Sequence, residues 1–169
     1  MTIKIKNVFI TLLLVTVIPI FSFAQAQNEP AFVEVSGEIT NPLKLTASAL
    51  NSFKQVSVIR KDKDGNAHTY TGAAFSEILE RAGATMGKQL RGKNLTKYLV
   101  AEALDGYKVL FALTELDSSF TSRQIILTAQ MDGKQLPKAD GPFRIIVQDE
   151  KLPARRAKQV KSLRVKFAD

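Results

Sequence analysis

The chain has no cysteine and no tryptophan among its 169 residues, and only one histidine. Without cysteine there can be no disulfide, no lipid-bearing thiol and no thiolate metal site. With one imidazole and no thiol, the common nucleophile pairs and zinc sites are excluded together. That histidine, His68, sits on the return arm of a hairpin and is read as an exposed strand position. The missing tryptophan, and phenylalanines that lie inside apolar runs, remove the stacking surfaces that single-strand nucleic-acid binders use, so no nucleic-acid partner is expected. No glycine-rich phosphate loop follows a strand, and there is no internal repeat or low-complexity tract. Acids are outnumbered, 16 against 24 lysines and arginines. Glu77 and Glu80, three apart on one helix, are ordinary solvated-face residues rather than a general acid and base.

What is present begins with a leader. Lys4 and Lys6 precede an uncharged run from Val8 to Phe23, and Ala24-Gln25-Ala26 supplies the small-x-small pattern that a signal peptidase accepts. Residues 1–26 are expected to be a cleaved signal peptide, with cleavage after Ala24 the close alternative. The apolar run is short for a membrane span, so no span is expected after cleavage, and the protein is expected to be exported, periplasmic or secreted. Residues 27–31 read as a linker and 32–169 as one domain, large enough to bury an ordinary core. Removal of the two leader lysines lowers the net charge from +8 to +6, because no acid leaves with them.

Within the domain, Phe32 to Ile39 alternates as a half-buried strand, and Leu43 to Leu45 is extended after an Asn41-Pro42 turn. Thr46 is placed to cap a short helix through Asn51. Val56 to Arg60 and Ala67 to Thr71 form a hairpin about Asp64-Gly65. Phe75, Ile78, Leu79 and Ala82 share a helical face, which predicts a helix over Ala73 to Ala82 stopped by Gly83 and packed on a sheet. Extended runs follow at Tyr98 to Ala103, Tyr107 to Ala112, Ile125 to Thr128, Phe143 to Val147 and Leu163 to Phe167. A helical turn is expected at Thr114 to Leu116, and Asp105-Gly106, Asp132-Gly133 and Asp140-Gly141-Pro142 mark turns. Many short strands, few helices and no βαβ rhythm define an α+β fold built on mixed β-sheet.

The densest charge lies between Lys151 and Lys166, a stretch that contains no acid. Arg164 and Lys166 alternate with Leu163, Val165 and Phe167 and form the wet face of a strand. Arg155, Arg156, Lys158 and Lys161 are not explained that way. Two adjacent arginines after Pro153 are suited to fork onto a phosphate or carboxylate, so an anionic small molecule or an acidic protein partner is the expected ligand class.

The order of segments then becomes recognisable. V-S-G-E-I-T-N-P-L-K-L-T from Val35, Y-T-G-A-A-F-S-E-I-L-E-R-A-G from Tyr70 and L-D-G-Y-K-V from Leu104 are followed by I-L-T-A-Q-M-D-G-K-Q-L from Ile126. G-P-F-R-I-I-V from Gly141 and L-P-A-R-R-A-K-Q-V-K-S-L-R-V from Leu152 complete the series. Together they resemble the oxidoreductase molybdopterin-binding domain, the central fold of the sulfite oxidase family, in a small exported form. The resemblance implies a molybdopterin held by backbone groups and basic side chains. It places Arg144, Arg155, Arg156, Lys158 and Lys161 on the cofactor side, with the Asp105-Gly106-Tyr107 turn beside them. It also implies a cysteine ligand to molybdenum between the segments matching Val56 to Val58 and Tyr70 to Gly72. Here that interval is Ile59 to Thr69 and holds none, so no metal and no sulfite-oxidase-type turnover are expected. An oxygen donor such as Asp62 or Asp64 would be solvent-exposed at a hairpin tip. A cofactor-free scaffold that keeps the fold is the alternative.

Overall fold

A computed structural model describes residues 29–62 and 65–168. The leader, the first two linker residues and Asp64 of the hairpin turn lie outside the described residues. Among the described residues no helix is long and apolar enough to cross a membrane.

Two sheets enclose the core. The first is ordered β2-β1-β10-β5-β6, from β1 (Phe32–Gly37), β2 (Leu43–Thr46), β5 (Lys97–Ala103), β6 (Lys108–Ala112) and β10 (Val160–Phe167). Its β1–β10 pairing is parallel and its other pairings are antiparallel. The second contains β3 (Gln55–Lys61), β4 (Ala67–Ala74), β7 (Ile125–Met131) and the short β8 (Lys134–Gln135) in that order, with β9 (Arg144–Val147) also antiparallel to β7. The helices are short: α1 (Ala47–Leu50), α2 (Phe75–Arg81) and α3 (Leu113–Leu116), with 3₁₀ turns at Gly87–Gln89 and Gly92–Thr96. Thr46 caps α1 as expected, its hydroxyl accepting from Ala49 N–H at 3.1 Å.

The period-2 pattern places side chains as it should in the first sheet. Val33, Val35, Leu99, Ala101, Leu163 and Val165 are buried against Phe75, Ile78 and Leu79 of α2, while Arg164 and Lys166 face water. The second sheet is apolar on both faces. Leu127, Ile145 and Val147 join the main core, while Val58, Tyr70, Ile126, Leu136 and Ile146 form a smaller cluster on the opposite face. That second face carries the polar site described below.

Some boundaries differ from the sequence reading. The helix expected over Ala73 to Ala82 spans Phe75–Arg81, because Ala73 and Ala74 pair with Leu127 and Ile126 as the end of β4. The first strand ends at Gly37 rather than Ile39: Gly37 turns to φ +99° and Ile39 only packs at the edge of the core. β7 runs three residues past Thr128, because its end pairs with β4 and β8. His68 is only 19% exposed at its side chain, with Nδ1 2.6 Å from Asp132 Oδ2.

Candidate functional site

Three connections converge beside the smaller apolar cluster. The 153–159 segment runs along the 138–145 segment, held by Ile145 N–H to Ala157 O at 2.8 Å and Val160 N–H to Phe143 O at 3.0 Å. The β5–β6 turn closes over them, with the Tyr107 hydroxyl donating to Ala154 O at 2.7 Å. The base of the β3–β4 hairpin brings in Asp62. Between these connections lies a cleft of about 570 Å³, lined by Asp62, Asp105, Tyr107, Arg144, Arg156 and Lys158, with small apolar wall at Ala103, Ala139, Pro153, Ala154 and Ala157.

Arg144 and Arg156 form the floor, 4% and 8% exposed. Arg144 Nη1 donates to Asp140 Oδ2 at 2.7 Å, to the Tyr70 oxygen at 2.7 Å and to Asp62 Oδ2 at 3.3 Å, and its Nη2 lies 3.4 Å from Asp62 Oδ1. Arg156 Nη1 donates to Asp62 Oδ1 at 3.1 Å. The Tyr70 hydroxyl in turn donates to Asp62 Oδ2, and the Arg144 guanidinium lies 5.0 Å from the centre of the Tyr70 ring. Lys158 Nζ reaches Asp140 Oδ1 at 2.5 Å from a half-exposed position. The buried Nε–H groups of Arg144 and Arg156 have no hydrogen-bond partner.

Burial alone would raise the Asp62 pKa, but the Tyr70 hydrogen bond and the charges of Arg144 and Arg156 together outweigh it and hold the carboxyl below its ordinary value. The same burial, with the Asp62 carboxylate beside it, pushes the Tyr70 phenol up, so Tyr70 stays protonated and acts as a donor. Burial and the neighbouring Arg60 charge lower the Arg156 pKa, although a guanidinium stays charged at neutral pH. Folded Asp62 therefore binds fewer protons than unfolded Asp62. Its contribution to stability is complete above the ordinary aspartate range, about pH 4, and is lost as pH falls through the folded value. Urea unfolding at pH 7 and pH 3 should show a larger acid loss for the natural protein than for Asp62→Asn. Taking the difference cancels the contributions of Asp117 and Asp132, which are also held low.

The structure brings five of the expected residues to one cleft: Asp105, Tyr107, Arg144, Arg156 and Lys158. Gly106 shapes the turn at its rim, with φ +85°. The two adjacent arginines do not fork onto one anion. Arg155 turns away to Glu115 Oε2 at 2.8 Å and Glu150 Oε1 at 2.7 Å, while Arg156 takes Asp62. Lys161 lies on β10 and pairs with Glu102 at 2.9 Å. Asp62 is not an exposed donor at a hairpin tip: its side chain is 18% exposed and sits against two arginines. Tyr70 and Asp140 carried no sequence signal as site residues.

The fold, two sheets with few short helices, is like that of the sulfite-oxidase-type molybdopterin-binding domain, and its cleft is a cation-lined polar pocket. The profile of the oxidoreductase molybdopterin-binding domain family matches residues 24–169, and the chain belongs to that family. Among solved structures it is similar to the sulfane dehydrogenase SoxCD from Paracoccus pantotrophus, at 18% identity and a TM-score of 0.61. The match covers 80% of this chain but only 38% of that one, so the likeness is one of fold. No curated protein matches.

The residues present do not fit a molybdenum centre held by a protein thiolate. The chain has no sulfur ligand beyond methionine, and of the carboxylates at the cleft Asp62 and Asp140 are already engaged by arginine and lysine while Asp105 accepts from Tyr107 N–H. A dianionic phosphate fits poorly as well. The three cations Arg144, Arg156 and Lys158 are matched by Asp62, Asp105 and Asp140.

Proposed function

We infer that the chain is an exported, non-redox binding member of its family, whose cleft holds a small molecule through an anionic group. One observation carries this reading: the guanidinium groups of Arg144 and Arg156, more than nine-tenths buried, line one cleft together with Lys158. Buried guanidinium groups that line a concave, partly apolar pocket mark a place for an anionic ligand group. Catalysis by a thiolate-held molybdenum is left out of the reading for want of any cysteine.

A second reading has an observation of its own. Because the cleft charges balance internally, the domain is also suited to serve as a scaffold that keeps the fold and binds no small molecule. One set of measurements separates the two. The protein is purified from the exported fraction, its N-terminus sequenced, its absorption and molybdenum content recorded, and its thermal unfolding followed against a panel of small anions. We expect a chain starting at Gln27, no stoichiometric molybdenum, and a rise in Tm with at least one anion. Lys158→Ala should weaken that binding about tenfold, the loss of one charge-assisted contact. Stoichiometric pterin and molybdenum would sink the non-redox reading, and a Tm indifferent to every anion would leave the scaffold.

A further inference from the structure

The donors around Asp62 form a receptor with a definite preference. Tyr70 and Arg144 meet one carboxylate oxygen, and Arg144 and Arg156 meet the other. This is the planar, two-oxygen arrangement that a guanidinium fork recognises. The three guanidinium contacts, at 3.1, 3.3 and 3.4 Å, are longer than the roughly 2.7–2.9 Å of a well-seated charge-assisted bond. The backbone of Asp62 is fixed at the hairpin base, its N–H donating to Asn66 O at 3.0 Å, but its side chain is 18% exposed, so the carboxylate can leave the arginines by side-chain rotation alone.

Resting on the binding function inferred above, we propose that Arg144, Arg156 and Tyr70 are a single-carboxylate receptor. Asp62 fills it in the free protein, and the ligand of the cleft is a small carboxylic acid with an apolar body, whose carboxylate exchanges with that of Asp62. Charge selects the class. With Asp62 in place the cleft is neutral; with Asp62 swung out it carries one positive charge, which one carboxylate restores to neutrality and a dianion oversteps. An excess charge of either sign is costly in a site this buried. The walls agree: beyond the arginine floor, Ala103, Ala139, Pro153, Ala154 and Ala157 offer small apolar surface for the rest of the molecule. Asp62 is then a specificity-determining residue, since any ligand must outcompete it.

Asp62→Ala empties the receptor while leaving its donors. Thermal unfolding of this variant is followed with acetate, benzoate, benzamide and phosphate at constant ionic strength. Acetate and benzoate should raise its Tm by about 5 °C or more near saturation and bind about tenfold tighter than to the natural protein. Benzamide should do nothing, and phosphate should do less than acetate. Asp62→Asn, which refills the space, should not respond to acetate. If Asp62→Ala is recovered only as aggregate, its refolding yield from urea with acetate against chloride reads the same competition. Phosphate matching acetate, or no carboxylate acting on Tm or on refolding, would overturn the proposal. Anion binding by the natural protein without this rescue would leave the function standing and remove the carboxylate class. Rescue in a protein whose natural form binds no anion would do the reverse.

Discussion

Replacing Arg144 with methionine should cost the domain about 3–5 kcal/mol of stability, the largest loss expected from any one side chain at the cleft. Methionine keeps much of the volume and none of the charge. Asp62 and Asp140 would both remain, 18% and 14% exposed at their side chains, deprived of the cation that joins them. Arg156 and Lys158 would each keep one carboxylate, but Tyr70 would lose both its hydrogen-bond donor and the guanidinium over its ring. Urea denaturation gives the number, and a second variant gives its origin. Because the cost arises from carboxylates left uncompensated, Arg144→Met with Asp62→Asn should be clearly less damaging than the sum of the two single changes. Strict additivity would mean that Arg144 acts by packing alone.

A single methyl group on the backbone of Gly37 should be nearly as harmful. Its Cβ would stand 2.1 Å from Val165 O and 2.9 Å from Val165 N, in a backbone conformation, φ +99°, that side-chain-bearing residues rarely adopt. Both obstacles belong to the β1–β10 pairing, where Glu38 N–H also donates to Val165 O at 3.0 Å, so no flexible side chain can move aside. Strain and overpacking together put the loss for Gly37→Ala at about 3 kcal/mol or more. Gly106→Ala supplies the control. It too has positive φ, at +85°, but nothing lies within 4 Å of its Cβ, so only the conformational term of about 1–2 kcal/mol applies. Equal losses in the two variants would refute the close approach at Val165.

The residues that could be read from the sequence were those whose role shows in local pattern. Strand alternation found β1, β5, β6 and β10, and the turn residues separated the strands. The pattern failed at Ala73 and Ala74, because an alanine pair suits a helix face and a fully buried strand alike, and only pairing with β7 decides between them. The 3₁₀ turns between Gly87 and Thr96 have no apolar period to announce them. At the cleft, Arg144, Arg156 and Lys158 were visible as bases that no strand face explained. Proximity in sequence misled over Arg155 and Lys161, which the fold turns toward Glu115, Glu150 and Glu102. Asp62 was hidden because an acid in the run Lys61-Asp62-Lys63-Asp64 looks like any solvated hairpin. Its arginine partners are 82 and 94 residues away, a distance that no short motif spans.

The parallel pairing of β1 with β10 also sets the order in which the domain is completed. The last strand of the chain is the middle strand of its sheet, flanked by β1 on one side and β5 on the other. A nascent chain that has extended only as far as Gln159 holds two separate hairpins, β1 with β2 and β5 with β6, and no sheet between them. The final eight-residue strand is the keystone. Without it the two hairpins have no strand between them, which makes loss of β10 a division of the sheet rather than a shortening of it.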